Sequence, residues 1–190
     1  MRKEFMKWRS LLCSGVSLAI LGTSSFAVNA QARLTEQSKV TLYGIGSVRA
    51  GMTIKEAEKA ASVRFVQIPS GGEEYKCFYF KPSGGFSGVS FMVTKGRIAR
   101  VDIENPRITT IGGAKIGDSE QRIKSLYLGQ IQVTKHPYEG SSPDNGHYLI
   151  FTPRESKDRS YRIIFETNKN RVTRYRAGQL PEVDYIEGCL

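Results

Sequence analysis

The chain has 190 residues, of which 39% are hydrophobic, 24% are charged and 10% are aromatic, and its formal net charge is +10. These proportions are those of an ordinary globular protein, and they exclude collagen-like, coiled-coil and intrinsically disordered chains. A chain of this length corresponds to one domain of ordinary size or to two very small ones.

The first thirty residues have the three-part pattern of a secretory signal peptide. An apolar stretch over residues 11–22 ends in small residues up to Ala30, and it follows four basic residues, Arg2, Lys3, Lys7 and Arg9. We therefore predict a Sec-type signal peptide over residues 1–30, cleaved after Ala30 or alternatively after Ala32. This predicts a periplasmic or secreted protein with no stable membrane anchor after cleavage.

Cleavage would remove four basic residues and one acidic residue and leave a formal charge of +7. Such a charge suits an anionic partner, for example an acidic protein surface, envelope polysaccharide or phospholipid head groups. Alternatively, it only keeps the protein in solution. Nucleic acid is not an expected partner outside the cytoplasm.

Two cysteines remain in the predicted mature chain, Cys77 and Cys189. In an oxidising compartment an even pair predicts one disulfide, which here would tie the C-terminus to the first half of the chain. A loop of this length would constrain the unfolded chain by roughly 4 to 5 kcal/mol at most. A reactive thiol is the alternative, but the sequence has no CxxC pair and no histidine adjacent to either cysteine.

The chain contains an internal repeat. Three segments recur in the same order, namely IGSVRAGMT (45–53) as IGGAKIGDS (111–119), FKP (80–82) as FTP (151–153), and FMVTKGRIARV (91–101) as FETNKNRVTRY (165–175). The offset between copies grows along the chain, which places insertions in the second copy, the first of them in residues 135–146. We predict a duplication with units 31–105 and 106–190, which meet at Asn105-Pro106.

In the first copy, Thr53 followed by Glu56 predicts a capped helix over IKEAEKAA. Lys95-Gly96 predicts a tight hairpin. The predicted strands are 75–80, 88–94 and 97–103.

In the second copy, Asp118 or Ser119 is the predicted N-cap of a helix over EQRIKSLYL, and Lys169-Asn170 is the equivalent hairpin signal. The predicted strands are 147–151, 160–167 and 171–177, with an additional strand-like stretch at 182–189. The expected fold class is α+β, as two tandem repeats, each a short helical segment followed by an antiparallel β-meander.

The glycine motif before each helix and the Lys-Gly-Arg or Lys-Asn-Arg hairpin of each meander resemble the β-lactamase inhibitor protein and the BamE (SmpA/OmlA) lipoprotein superfamily. The likeness covers essentially the whole mature chain, and the chain looks most similar to uncharacterised bacterial secreted proteins. The resemblance implies a fold that binds other proteins through its sheet and loops. The sequence departs from the lipoproteins because it has no lipid-attachment cysteine.

Few residues suggest catalysis. His136 and His147 stand beside or within a polar insertion that also holds Glu139 and Asp144, and a metal or acid–base site there is one interpretation. A solvated hairpin loop is the simpler one, since Pro137 and residues 144–146 favour a turn. We therefore predict no enzymatic activity, no cofactor and no metal.

Side-chain alternation predicts one arginine-rich face of the sheet, with Ile98 on the same face as Arg100 and Val172 on the same face as Arg174 and Arg176. If the helices cover the opposite face, this one displays arginines and tyrosines, which interface hot spots favour, although an ordinary solvated face is the alternative. The candidate partner-binding residues are Arg100, Arg162, Arg174, Arg176 and Tyr175, together with loops 81–87 and 135–146.

The function predicted from the sequence is a non-enzymatic periplasmic or secreted protein-interaction module, either inhibitor-like or an envelope-assembly accessory. Its partner would be another protein. The alternative is a secreted protein that binds a small ligand or a metal with the 135–148 loop.

Overall fold

The computed structural model describes residues 33–69, 76–84, 87–138 and 146–189. The predicted signal peptide and both predicted cleavage positions lie outside these residues. Residues from Gln31 to Leu190 cluster as one unit. Within the described ranges, no helix has the length and apolar character needed to cross a bilayer.

The first half begins with a small antiparallel sheet of β1 (Val40–Thr41), β2 (Gly44–Ile45) and β3 (Val48–Arg49). Helix α1 (Ile54–Ala61) follows, and the predicted cap is confirmed because Thr53 and Glu56 form a reciprocal capping box. Four strands complete this half: β4 (Phe65–Ile68), β5 (Cys77–Pro82), β6 (Val89–Thr94) and β7 (Arg97–Ile103).

The second half begins with helix α2 (Glu120–Leu126), whose N-cap is Ser119 rather than Asp118. The Ser119 hydroxyl accepts a hydrogen bond of 3.2 Å from the backbone N–H of Arg122. The strands that follow are β8 (Ile131–Lys135), β9 (His147–Phe151), β10 (Tyr161–Asn168) and β11 (Arg171–Gln179). Two short 3-10 helices lie at Ser156–Asp158 and Glu182–Asp184.

The strands β4 to β11 form a single antiparallel sheet in the order β4-β5-β6-β7-β11-β10-β9-β8. The last strand of each half is therefore central, and β7 pairs with β11 over four residues. The sheets of the two halves are continuous, a point that the sequence left open. The mixed α+β class is confirmed.

Both helices pack on one face of this sheet, which we call the first face. Ala57 of α1 and Ile123 of α2 are fully buried in the same hydrophobic cluster as Phe91 and Phe165 of the sheet. Because this cluster draws on both halves, the protein has one main core rather than two.

Several short strands were not predicted from the sequence. It predicted three strands per half, but β4 and β8 add a fourth at each outer edge, and β1 to β3 were not predicted. β4 shows no clear alternation of apolar and polar residues, and β8 alternates over only four residues, Ile131 to Thr134, which is short for a strand signal. The predicted strand at 182–189 is wrong, because this segment holds a 3-10 helix and pairs with no strand.

Both predicted hairpin turns are confirmed. Lys95 and Gly96 have φ angles of 51° and 74°, and Lys169 and Asn170 have φ angles of 46° and 61°. Two successive residues with positive φ give the turn type that matches the twist of an antiparallel hairpin.

A β-bulge follows each hairpin. In β7, Ile98 pairs with Val93 but Arg100 pairs with Met92, so Ala99 is an extra residue. The extra residue shifts the alternation by one position. Ile98 therefore faces the core while Arg100 lies on the opposite, second face, and the prediction that these two residues share a face is wrong.

The bulge of β11 has the same effect. Val172 pairs with Thr167 and Arg174 pairs with Glu166, which leaves Thr173 as the extra residue. Val172 belongs to the core cluster, whereas Arg174 contacts Glu166 on the second face. The prediction that Val172 shares a face with the arginines is therefore also wrong.

Candidate functional site

The second face of the sheet is partly covered by the end of the chain. After β11, residues 180–189 cross back over the sheet, and we call this segment the C-terminal strap. The backbone N–H of Leu180 donates to the carbonyl of Ser160 at 2.7 Å, and Val183 is fully buried against Tyr148 and Ile164. The strap ends at the disulfide between Cys189 and Cys77, which confirms the predicted pairing.

Arg100 is buried beneath the strap. Its Nη1 donates to the backbone carbonyls of Glu182 and Tyr185 at 2.9 and 2.6 Å, and its Nη2 donates to the Tyr79 hydroxyl at 2.8 Å. Its Nε donates to Asp102 at 3.0 Å. A buried guanidinium requires such partners, so Arg100 anchors the strap rather than facing solvent.

Arg176 has a similar position. Its Nε donates to the carbonyl of Val183 in the strap at 2.6 Å, and its guanidinium carbon lies 5.1 Å from the centre of the Tyr148 ring. The predicted exposure of Arg100 and Arg176 is therefore wrong, since the strap buries both.

Glu166 is the centre of a charged cluster beside these arginines. Its side chain is buried, and it accepts hydrogen bonds from Nε and Nη2 of Arg174, while Nε2 of His136 lies 3.0 Å from its Oε1. Burial opposes ionisation, but the bonds from Arg174 and His136 outweigh burial and lower the pKa of Glu166 to about 2. Burial and the nearby Glu166 charge raise the pKa of Tyr148 to about 12.

A polar cavity of about 290 Å³ lies between this cluster and the strap. Its charged lining residues are Arg100, Asp102, Glu104, Glu166, Arg174, Arg176 and Glu187. Arg174 is the accessible cation among them, with 53% of its side chain exposed and its guanidinium fixed by Glu166. A ligand that enters the cavity from solvent can therefore bind the Arg174 guanidinium, which Glu166 already holds in place.

Exposed apolar side chains stand next to the cavity. Tyr185 and Ile186 of the strap are exposed, and so is Tyr138 at the end of the β8 segment. The Tyr138 hydroxyl donates to Glu187, which links the two segments. A second groove, of about 740 Å³, includes all of these residues and continues to Lys95.

The remaining predicted binding residues are not part of this site. Tyr175 is buried on the first face, where its hydroxyl donates to the carbonyl of Ile108 at 3.1 Å, so its predicted exposure is wrong. Arg162 is half-buried and donates to the backbone carbonyls of Arg159 and Tyr161 at 2.7 and 2.6 Å. Of the predicted loops, residues 85–86 and 139–145 lie outside the described residues.

The two histidines contact different carboxylates. His136 contacts Glu166 on the second face, whereas Nδ1 of His147 lies 2.8 Å from Oε1 of Glu120 in α2. In the described ranges, no three histidine, cysteine or acidic side chains form a group that could hold a metal ion. The structure therefore does not bring His136 and His147 together, and a shared metal site at these residues gains no support.

The sequence indicated the arginines of this site and named Tyr185 among the tyrosines beside them, but it did not indicate the strap residue Ile186 or the anchor Glu166. The strap was read as a strand, and a glutamate within a strand gives no signal of its own. Its position opposite Arg174 depends on the bulge at Thr173.

The comparisons with known proteins add little. No protein family and no curated protein matches the chain. Among solved structures, the chain is similar to the uncharacterized protein YfeY from Escherichia coli, with 19% identity, a TM-score of 0.42, and coverage of 74% of this chain and 99% of that chain. A similarity this distant carries no information about function.

Proposed function

We propose that this chain is a non-enzymatic protein-interaction module that works outside the cytoplasm and binds its partner at the second face of the sheet. The observation that carries the proposal is the group of exposed residues Tyr138, Tyr185 and Ile186 beside the half-exposed Arg174. Tyrosine and arginine are the residue types that contribute most at protein interfaces.

The strap makes this surface rigid before any partner binds. It is fastened at its end by the disulfide, and its middle is held by Arg100 and Arg176 through three backbone carbonyls. A surface that is already ordered loses less conformational entropy on binding. The bond from Tyr138 to Glu187 extends this order to the β8 segment.

The ionisation of the site favours recognition over catalysis. Because the pKa of Glu166 is about 2, this carboxylate stays charged at neutral pH and is a poor general acid or base. Arg174 is engaged with it in two hydrogen bonds. Fixed ion pairs of this kind suit charge complementarity to a partner.

The disulfide and the predicted signal peptide together support a periplasmic or secreted location, since disulfides persist in oxidising compartments. The resemblance to the β-lactamase inhibitor protein and the BamE superfamily gives the two candidate roles, inhibitor and envelope-assembly accessory. Both roles require a protein partner.

We also propose that the two halves are tandem repeats, 31–105 and 106–190. The backbone N–H of Gly51 donates to Ile98 and that of Gly117 to Val172, each at 2.8 Å, and both glycines have a φ near 90°. The bulges at Ala99 and Thr173 are 74 positions apart, the same offset that relates Ile98 to Val172. These equivalent details support a duplication, because neither is needed to build an antiparallel meander.

Affinity capture from the native envelope fraction tests the interaction proposal. The bait is the wild-type protein or the double variant Tyr138→Ala/Tyr185→Ala, and mass spectrometry identifies bound proteins. We expect a partner that the wild type retains and the variant loses, because truncating two central aromatic side chains commonly weakens binding by several kcal/mol, on the order of 100-fold or more.

The matched control is Ile111→Ser/Leu128→Ser, which also removes two exposed hydrophobic side chains, neither of them on the groove or the strap. This control should retain the partner. Identical partners on all three baits, or no partner on any of them, would refute the proposed binding surface.

A further inference from the structure

The two outer edges of the eight-stranded sheet differ in their protection. At the β4 edge, Ser83 N–H bonds to the Arg64 carbonyl at 2.7 Å, so the next residue, Phe65, points its backbone groups away from β5. The Phe65 N–H is then taken by Oε1 of Glu58 in α1 at 2.8 Å. A side chain that occupies an outward N–H in this way hinders pairing with another strand at that residue.

At the opposite edge, β8 presents its backbone outward. Thr152 N–H bonds to the Gln130 carbonyl and His136 N–H bonds to the Gly146 carbonyl, both at 3.0 Å, so the even-numbered residues of this segment pair with β9. The N–H and C=O groups of Ile131, Val133 and Lys135 therefore point away from the sheet. In the ranges that the structure describes, no strand lies beyond β8.

We propose that β8 is a homodimer interface, in which β8 of one copy pairs antiparallel with β8 of a second copy about a two-fold axis at Val133. Val133 then faces the partner's Val133, and Ile131 faces the partner's Lys135. Each of these three residues donates one N–H and accepts one at its C=O, which gives six hydrogen bonds. The result is one continuous sixteen-stranded sheet.

This register is the one that best fits the sequence of β8. A shift of two residues in either direction leaves some outward groups unpaired, and a shift of four towards the C-terminus puts Lys135 opposite the partner's Lys135. Like charges directly opposite each other destabilise a strand pair. The register centred on Val133 keeps the two lysines at opposite ends and brings two half-exposed valines together.

The side chains also favour a second copy over an unrelated strand. Val133 lies on the first face and is 40% exposed, so pairing with its own symmetry mate covers apolar surface on both copies. On the second face, Gln132 would face the partner's Thr134, two polar side chains that can bond to each other. A two-fold interface requires such self-complementarity, and β8 has it.

Sedimentation velocity of the protein, purified after expression from its full-length sequence, tests the proposal across a hundredfold range of concentration. The wild type should sediment increasingly as a dimer. Val133→Lys places two cations at the axis and should raise the dimer dissociation constant by about tenfold or more. Circular dichroism of each variant checks that it is folded.

The matched control is Gln67→Lys, because Gln67 is exposed in the β4 edge strand and its neighbour in β5 is Phe80 rather than a charged residue. It adds the same charge at the protected edge and should leave the dissociation constant unchanged. A wild-type protein that stays monomeric throughout, or equal effects of the two substitutions, would overturn the proposal.

Cross-linking tests the register. Oxidised Val133→Cys should form a covalent dimer, because residues paired on the axis have Cα atoms about 5.5 Å apart, within disulfide range. Thr134→Cys is the control, since its side chain would face the partner's Gln132 rather than another cysteine. Equal cross-linking of the two variants would contradict the register centred on Val133.

Discussion

Glu166 shows how one residue can organise the charges of a surface. It is buried, yet it remains ionised because Arg174 and His136 surround it and Nη1 of Arg176 lies 3.8 Å away. A buried carboxylate that loses its charge would leave the guanidinium groups of Arg174 and Arg176 without compensation, which is costly. The stability of the second face should therefore depend on the charge of this side chain.

We predict that Glu166→Gln lowers the free energy of unfolding by about 2 to 3 kcal/mol at pH 7. The pKa of Glu166 is about 2 in the folded protein against an ordinary 4.5, so its stabilising effect is present above pH 4.5. That effect is lost as the pH falls from 4.5 towards 2. Urea titrations of both proteins from pH 7 to pH 2 should show the difference shrinking over this range.

The control for this prediction is Glu155→Gln, an exposed glutamate before the first 3-10 helix. It should change the free energy of unfolding by less than about 0.5 kcal/mol at every pH. A difference between wild type and Glu166→Gln that stays constant down to pH 2 would mean that the carboxylate charge does not stabilise the fold.

At the scale of the element, the contact between β7 and β11 depends on a glycine. A Cβ at Gly178 would collide with the backbone carbonyl of Ala99 and with the Cα and Cβ of Arg100. The strand pair that joins the two halves is therefore closest where β7 bulges. A glycine in a strand interior often marks such an approach.

We predict that Gly178→Ala destabilises the protein by about 1 to 3 kcal/mol, because the added methyl group must push β7 away from β11. Thermal unfolding followed by circular dichroism measures this change. Gln179→Ala, at the exposed end of the same strand, should have little effect. Equal melting temperatures for the two variants would show that the junction tolerates a side chain.

The strap gives a second prediction at this scale. Cys77→Ser should lower the free energy of unfolding by about 3 to 5 kcal/mol, since the disulfide joins residues 112 positions apart in the sequence. Differential scanning calorimetry with and without a reductant measures the effect. Cys189→Ser should give the same loss, and the reductant should shift the melting temperature of the wild type alone.

Much of this level of structure could be predicted from the sequence. The caps at Thr53 and Ser119, the two hairpins and the disulfide rest on local or pairwise rules, and they are found where expected. The sequence could not predict that Arg100 and Ile98, or Arg174 and Val172, lie on opposite faces. A bulge depends on how two strands fit together, and the pattern of apolar and polar residues does not reveal it. The exposure of Arg100 and Arg176 was mispredicted for a similar reason. The strap that covers them is held in place by contacts between residues that are distant in the sequence.

At the scale of the whole molecule, the shared core predicts a single cooperative unit. Phe91 of the first half and Phe165 of the second lie in one cluster beneath both helices. Phe91→Ala should lower the free energy of unfolding by about 3 to 5 kcal/mol. Hydrogen exchange should show the slowest amides of β6 and of β10 losing the same amount of protection.

The control is Ile111→Ser, which changes an exposed side chain and should leave exchange in both halves as it is in the wild type. Loss of protection confined to the first half would contradict a single unit and indicate two units that unfold separately.

The strand order determines when β7 acquires its second neighbour in the sheet. The final strand, β11, occupies a central position, and β7 receives its second neighbour only from β11. While the chain is being synthesised or exported, β7 therefore remains an open edge until residues 171–179 have emerged. An open edge invites aggregation, so a chain truncated before residue 171 would have no native centre and would be a natural substrate for chaperones and proteases.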